Sequence, residues 1–206
     1  MSFELWITFS LASTALLAVP GPTVILVVSY ALGHGRESGW ATVPGVAFGD
    51  LTAMTVSLLG AGAVLAASAN LFTVLKLVGA AYLIWLGIKL WRARPALDEL
   101  RKIEPEKSRL AMFRDAYVVT ALNPKGIVFF VAFVPQFIDP AASVIRQFAI
   151  LEATFVSLAA VNVALWAVLA GQLRSRFRRP ETMRLVNRTG GGFLVGAGLL
   201  TASIRP

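Results

Sequence analysis

Long apolar runs follow one another along almost the whole chain. Six of them are long enough for a helix to cross a hydrocarbon layer about 30 Å thick. They cover residues 3–32, 40–67, 71–91, 112–137, 148–173 and 185–204. Runs that are apolar on every face indicate helices surrounded by lipid or by other helices. The pattern therefore predicts an all-α polytopic membrane protein that forms a single transmembrane domain over residues 1–206.

Helix-breaking residues interrupt two of these runs near their middle. Proline removes a backbone donor and clashes with the preceding turn, and a lysine inside a hydrophobic span costs about 2.5–3.5 kcal/mol on insertion scales. Two broken segments in matching positions of two halves are typical of a transporter binding site. We therefore predict that helices 1 and 4 are broken near the bilayer midplane and that the breaks bind a substrate. The residues concerned are Pro20, Gly21, Pro22, Asn123, Pro124, Lys125 and Gly126.

Composition narrows the class of protein further. The chain is 57% apolar, above the level of about 45–50% in soluble domains. It has no cysteine, which excludes disulfides, thiolate metal sites and thiol redox chemistry. The single histidine, His34, falls in a predicted loop, so neither a histidine-based metal site nor a Ser–His catalytic set is expected. No P-loop pattern is present. We expect a protein that is not an enzyme and that uses no cofactor or metal.

Lysine and arginine are distributed unevenly between the two sides of the predicted membrane. If the N-terminus lies outside, fifteen of the 19 basic residues fall in segments that face the cytoplasm, and such a bias sets orientation. It also explains the net charge of +8 without nucleic-acid binding, which is the alternative for basic loops. The start of the first apolar run contains an acidic residue, Glu4, and no basic cluster, so it is unlike a cleaved secretory signal. We predict that both termini lie on the outer side.

A basic cytoplasmic loop over residues 93–111 divides the chain into two sets of three spans, residues 1–92 and residues 112–206. Because each half has an odd number of spans, the halves must be inverted relative to each other. Residues 79–88 align with residues 190–199. The sequence therefore predicts two inverted three-helix repeats.

A second alignment, with an offset of 102, places Pro22 on Pro124 and Asp50 on Glu152.

Glycines spaced four or six apart predict faces for close helix contact. They are Gly35, Gly39, Gly45, Gly49, Gly192 and Gly196.

Two carboxylates lie inside predicted spans, and burial favours their neutral form enough for proton exchange near neutral pH. Asp50 could carry a coupling proton, hold a substrate ammonium group, or form a static ion pair with Lys125. Glu152 is shallower, so an interfacial carboxylate is an alternative to coupling. Lys125 is predicted to face a central cavity and help hold a substrate carboxylate. Its alternatives are pairing with Asp50 and reaching outward along its helix.

Four stretches carry a resemblance to the LysE/RhtB family of bacterial amino-acid exporters. They are VPGPT at residues 19–23, GWATVPGVAFGD at 39–50, LKLVGAAYLIWLGIKLWRA at 75–93 and NPKGIVFFVAFVPQF at 123–137. The third is similar to the homoserine, homoserine-lactone and threonine branch. The resemblance implies a bacterial inner-membrane exporter of amino acids or their derivatives, driven by proton antiport. Its implied partners are the amino-acid substrate, protons and lipid, and a homodimer is one alternative for its assembly. Glu152 is not part of the family pattern.

Other functions remain as alternatives at this point. Efflux of metal ions or other small solutes would need several convergent carboxylates or histidines. An intramembrane hydrolase would need a nucleophile beside a base, for which Ser29, Ser57 or Ser157 with Lys125 are the candidates. A purely structural membrane subunit gives no reason for Asn-Pro-Lys in the middle of a span.

Overall fold

The computed structural model describes residues 1–92, 107–139, 141–177 and 180–203. Every regular element in these ranges is helical, which confirms the predicted all-α class. Eight α-helices are present in them: α1 Phe3–Ala18, α2 Pro22–His34, α3 Gly39–Ala67, α4 Ala69–Arg92, α5 Arg109–Ala121, α6 Pro124–Ala132, α7 Val144–Phe177 and α8 Pro180–Ser203. Short 3-10 helices occur at Arg36–Ser38 and Val134–Phe137.

Two of the described helical stretches, Arg36–Val64 and Val144–Ala170, are long and apolar enough to cross a membrane alone. Two bent pairs meet the same criteria when each pair is taken together, so up to four spans qualify. The third and sixth predicted spans correspond to α4 and α8, of 24 residues each. The arrangement of six spans as inverted repeats stays a prediction.

Both predicted helix breaks are present. The first pair, α1 and α2, is bent by 55°, and the second pair, α5 and α6, is bent by 44°. In each pair the second helix begins at a proline, Pro22 or Pro124. Proline fits the first turn of a helix because the missing N–H would have no helical partner there, but it cannot continue the helix before it. The discontinuities therefore lie where the sequence placed them.

The central loop ends earlier than predicted. Residues 93–106, with most of its charges, lie outside the described residues, as do Arg178 and Arg205. The first described residues after the loop are Lys107 and Ser108, and α5 begins at Arg109 instead of residue 112. Ser108 accepts a hydrogen bond from the Ala111 N–H at 3.2 Å. This N-cap satisfies a free donor of the first turn and lets the helix begin at this point.

Phenylalanines form the densest part of the core. Six buried rings pack between α1, α6, the following 3-10 helix and α7: Phe9, Phe129, Phe130, Phe133, Phe137 and Phe155. Phe130 and Phe155 meet edge to face with their ring centroids 4.8 Å apart, and Phe129 stacks on Phe133 with centroids 4.9 Å apart. Both geometries are favourable for aromatic quadrupoles. This cluster fixes α1 against α6 and α7.

Glycines allow α3 to lie directly against α5. A Cβ placed on Gly49 would lie 2.8 Å from Tyr117 O, and one on Gly45 would lie 2.9 Å from Ala116 Cβ. Real Cβ atoms do not approach other atoms so closely, so these positions tolerate only hydrogen. The predicted glycine face of α3 is confirmed at these two positions.

The contact between α4 and α8 is reciprocal. A Cβ on Gly87 would lie 2.6 Å from Gly191 O, and a Cβ on Gly198 would lie 2.7 Å from Ala80 O. The alignment of residues 79–88 with 190–199 equates Gly87 with Gly198 and Ala80 with Gly191. Each contact is therefore the counterpart of the other, as expected for a pair of elements related by a two-fold axis.

The glycine face predicted on α8 is confirmed at Gly192 and wrong at Gly196. A Cβ on Gly192 would lie 3.2 Å from the Trp91 ring of α4, whereas one on Gly196 would meet nothing within 4 Å. The closest backbone contacts with α4 are made by Gly191 and Gly198. These two lie seven residues apart, two helical turns on the same face. Spacing of four alone could not choose among the glycines of this segment.

Candidate functional site

The two helix breaks lie against each other, and each contributes side chains to the other. Lys125, in the first turn of α6, donates from Nζ to Leu16 O at 3.1 Å and to Val19 O at 2.9 Å, where α1 ends. Thr23, in the first turn of α2, lies 3.2 Å from Thr120 near the end of α5, hydroxyl to hydroxyl. The start of each second half-helix thus contacts the end of the opposite first half-helix.

Asn123 organises the second break. Its Oδ1 accepts a hydrogen bond from the Lys125 N–H at 3.1 Å, so the side chain caps α6. Its Nδ2 donates to Thr23 Oγ1 at 3.3 Å. One buried amide therefore completes the start of α6 and ties it to the start of α2.

The N-terminus of α2 differs from that of α6 in how it is capped. Its N-cap is Gly21, and no side chain of the described residues caps its free N–H groups. Such a terminus presents donors and a partial charge of about +0.5, which makes it suited to an anion.

Asn162 of α7 is a site residue that the sequence analysis missed. Its Nδ2 donates to Leu17 O at 3.1 Å, one residue from a carbonyl that Lys125 binds. The signal was present, because Asn162 is a lone amide within the otherwise apolar segment 158–170. Nothing in the sequence showed which face of α7 it occupies.

A small cavity of about 30 Å³ lies between the two breaks. That leaves room for only a few water molecules. Both apolar and polar residues line it: Leu16, Leu17, Gly21, Thr23, Val24, Val46, Asp50, Asn123, Lys125, Gly126, Phe155, Asn162 and Val163.

Asp50 is the acidic residue among those that line this cavity. It is 7% exposed, and its carboxylate makes no hydrogen bond and no ion pair within 4.0 Å with any described residue. Lys125 lines the same cavity and interacts with it through space. A buried carboxyl group without a direct partner is costly, so Asp50 is the candidate acidic group of this cavity.

The remaining predicted site residues lie at the edge of the cavity or outside it. Pro20, Pro22 and Pro124 shape the breaks without lining the cavity. Glu152 accepts a hydrogen bond from Thr55 Oγ1 and does not line it either. The structure therefore brings Gly21, Asn123, Lys125, Gly126 and Asp50 together and leaves Glu152 apart.

A second polar cluster joins the far end of α2 to α5. Tyr30 Oη donates to Asp115 Oδ2 at 2.7 Å, and Lys107 Nζ donates to the same oxygen at 3.0 Å. Lys107 N also donates to His34 Nε2 at 3.3 Å. Together with the contact between Thr23 and Thr120, these bonds hold α2 to α5 at both ends.

Comparison with known proteins places this site in a family. A sequence profile described as LysE type translocator matches residues 14–203, which includes both breaks and the whole cavity lining. The chain belongs to the LysE type translocator family. The family resemblance predicted from four sequence stretches is thereby confirmed.

The chain has relatives of matching length. It is 35% identical over 205 residues to the homoserine/homoserine lactone efflux protein of Salmonella typhimurium, covering 100% of this chain and 99% of that protein. A membrane protein of Vibrio cholerae serotype O1 is 34% identical over 205 residues, with both chains fully covered. The leucine efflux protein of Enterobacter sp. strain 638 is 28% identical over 188 residues, covering 91% of this chain and 88% of its own. No solved structure matches the chain.

Proposed function

We propose that the chain is a secondary active exporter of amino acids or their derivatives, and that the cavity between the two helix breaks is its substrate site. The observation that carries this proposal is the unpaired Asp50 carboxylate in one cavity with the uncapped start of α2. A zwitterionic amino acid brings one ammonium and one carboxylate into a low-dielectric site, and each needs a partner there. Asp50 suits the ammonium group, and the α2 N–H groups suit the carboxylate.

Lys125 adds to the positive side of this site. An ammonium group has three donors, and two of those of Lys125 are used by Leu16 O and Val19 O. The third is free to reach a bound carboxylate. Gly21 and Gly126 leave room for the backbone to approach a ligand, and Asn123 holds the first turn of α6 in place.

The proposed substrates are neutral amino acids such as homoserine or threonine, in keeping with the relatives named for homoserine and leucine efflux. The apolar lining, with Val24, Val46 and Val163, suits a short side chain. A cavity of about 30 Å³ cannot hold an amino acid, so the helices around it must separate during transport. Opening to alternate sides of the membrane is the corresponding cycle.

Proton antiport is the proposed energy source, with Asp50 as the carboxylate that exchanges the proton for the substrate ammonium. Glu152, outside the cavity, is the weaker candidate for this role. The proposed location is a bacterial inner membrane with both termini outside, as the basic residues indicate.

Metal-ion efflux has less support in the described residues. No three acidic, histidine or cysteine side chains among them lie close enough to hold a metal ion.

Counterflow in proteoliposomes tests the proposal. Purified protein is reconstituted into vesicles loaded with unlabelled threonine, homoserine or leucine, and uptake of the same labelled amino acid is followed. We expect transient accumulation of at least one of the three, enhanced by an imposed pH gradient. No accumulation of any of them above protein-free vesicles would contradict amino-acid transport, and indifference to the gradient would contradict proton coupling.

A further inference from the structure

We propose that Lys125 and Asn162 are positioning residues that together hold the broken end of α1. We call these two side chains, with the carbonyls of Leu16, Leu17 and Val19 that they contact, the carbonyl clamp. This role rests on the proposed function, because the clamp borders the proposed substrate site. It assigns a task to Asn162 and gives Lys125 a second one beside substrate binding.

The carbonyls of the clamp need donors because α1 stops in the interior of the chain's apolar core. The last carbonyls of a helix have no partner within the helix, and unpaired backbone groups are tolerated at membrane depth only when protein or water satisfies them. Val19 N–H already donates to Leu16 O at 3.2 Å. Side chains from α6 and α7 supply the rest, at 2.9–3.1 Å.

A lysine is well suited to the central place in the clamp. The C-terminal end of a helix carries a partial negative charge that favours a cation, and one ammonium group can serve two carbonyls at once. The lysine head lies directly against the break, because even a Cβ placed on Gly21 would be in van der Waals contact with Lys125 Nζ, at 3.4 Å.

The clamp fixes the geometry of the substrate site through the short segment between α1 and α2. Residues 19–21 connect the clamped carbonyls directly to the uncapped start of α2. If α1 were released, that start would lose its fixed position relative to Asp50. Every substrate with a carboxylate would then bind less well, whatever its side chain.

A cysteine reporter tests the clamp without any substrate. The chain has no cysteine, so Val19→Cys introduces a single thiol at a position 2% exposed. Its alkylation by N-ethylmaleimide requires local opening. Adding Asn162→Leu or Lys125→Met removes clamp donors, and we expect alkylation to become about tenfold faster or more. An unchanged rate in both variants would overturn the proposal.

A matched reporter separates release of α1 from general loosening. Leu83 of α4 is fully buried in the same apolar cluster as Val19, so Leu83→Cys should keep its slow rate in the clamp variants. Equal acceleration at both reporters would overturn the proposal. Asn162→Gln retains the amide donor and should restore slow alkylation at least in part, and a rate equal to that of Asn162→Leu would count against the clamp.

Transport kinetics of Asn162→Leu, with threonine and leucine as probes, supply the second readout. Positioning predicts that KM rises by the same factor for both amino acids, with little change in maximal rate. A changed preference between them would make Asn162 a contact for the substrate side chain and overturn its positioning role. If the unaltered chain transports none of threonine, homoserine and leucine, the proposed function fails, while thiol alkylation still decides whether the clamp exists.

Discussion

Asp50 is the side chain on which the proposed transport step depends most directly. Substituting Asp50→Asn keeps its size but removes both the negative charge and the exchangeable proton. A buried ammonium left without its counter-charge loses about 3–5 kcal/mol. We therefore expect loss of pH-gradient-driven efflux, measured with labelled substrate in proteoliposomes, while the protein remains folded in the membrane.

Glu152→Gln is the matched control, because it neutralises the carboxylate outside the cavity. It should retain most of the efflux. Full activity in Asp50→Asn would reduce Asp50 to a packing residue, and loss of activity only in Glu152→Gln would move the coupling role to α7.

For single residues, the sequence predicted that the break residues lie close together, but it did not predict which groups they contact. Proline and glycine mark a break through local chain geometry, so Gly21 and Asn123 could be found from residue type alone. The partners of Lys125 are carbonyls over a hundred positions away along the chain. Carbonyls are common to all residues, so no sequence pattern distinguishes those that will accept such a bond.

Because α3 lies in close contact with α5, alanine substitutions at different glycines of α3 should differ in their effect on stability. Gly45→Ala would force a methyl group against Ala116 and the backbone at Phe113, and overpacking of this kind costs about 1–3 kcal/mol. We expect a lower midpoint of thermal unfolding in detergent, followed by loss of the monodisperse chromatographic peak.

Gly60→Ala provides the comparison on the same helix, since a Cβ at Gly60 meets nothing within 4 Å. It should leave the midpoint unchanged or raise it slightly, because alanine favours the helix more than glycine does. Equal effects of the two substitutions would show that close packing against α5 does not decide stability at Gly45.

The polar cluster at the far end of α2 gives a second prediction for this pair of elements. Tyr30→Phe removes the hydroxyl that bonds Asp115 at 2.7 Å, and we expect a loss of about 1 kcal/mol in the free energy of unfolding. The loss is modest because Lys107 still contacts Asp115. Denaturant titration of the purified protein measures it. Tyr82→Phe, on a ring that packs against Trp85, should change stability much less, and the reverse order would contradict the role given to the cluster.

Orientation in the membrane is a prediction about the whole molecule. Cysteines replacing Arg101 and Arg178 should resist a membrane-impermeant maleimide added from outside, whereas Ser143→Cys should react. The reason is that fifteen of the 19 basic residues then face the cytoplasm, as the positive-inside rule requires. Arg101 and Arg178 lie outside the described residues, so the labelling experiment is a direct measure of their side. Reaction of both from outside would overturn the inverted orientation of the halves.

The relation between the two halves could be predicted only in part from the sequence. The aligned glycine segments of α4 and α8 make reciprocal contacts, as a two-fold relation would require, and the inverted repeat itself stays a prediction. The register of the α8 face could not be predicted, because several glycines there offer equally small surfaces. Which of them meets α4 depends on the rotation of the helix, and that is set by packing along its full length.

The carbonyl clamp also constrains the order in which the chain can be completed during synthesis. Leu16 O and Lys125 are 109 residues apart, and Leu17 O and Asn162 are 145 apart. At a ribosomal rate of about 5–20 residues per second, α1 would wait roughly 5 to 20 s for its first side-chain donor. During that interval its terminal carbonyls need water or the insertion apparatus as a partner. We therefore expect a nascent chain stopped at residue 92 to stay beside the translocon instead of entering the lipid as a finished half.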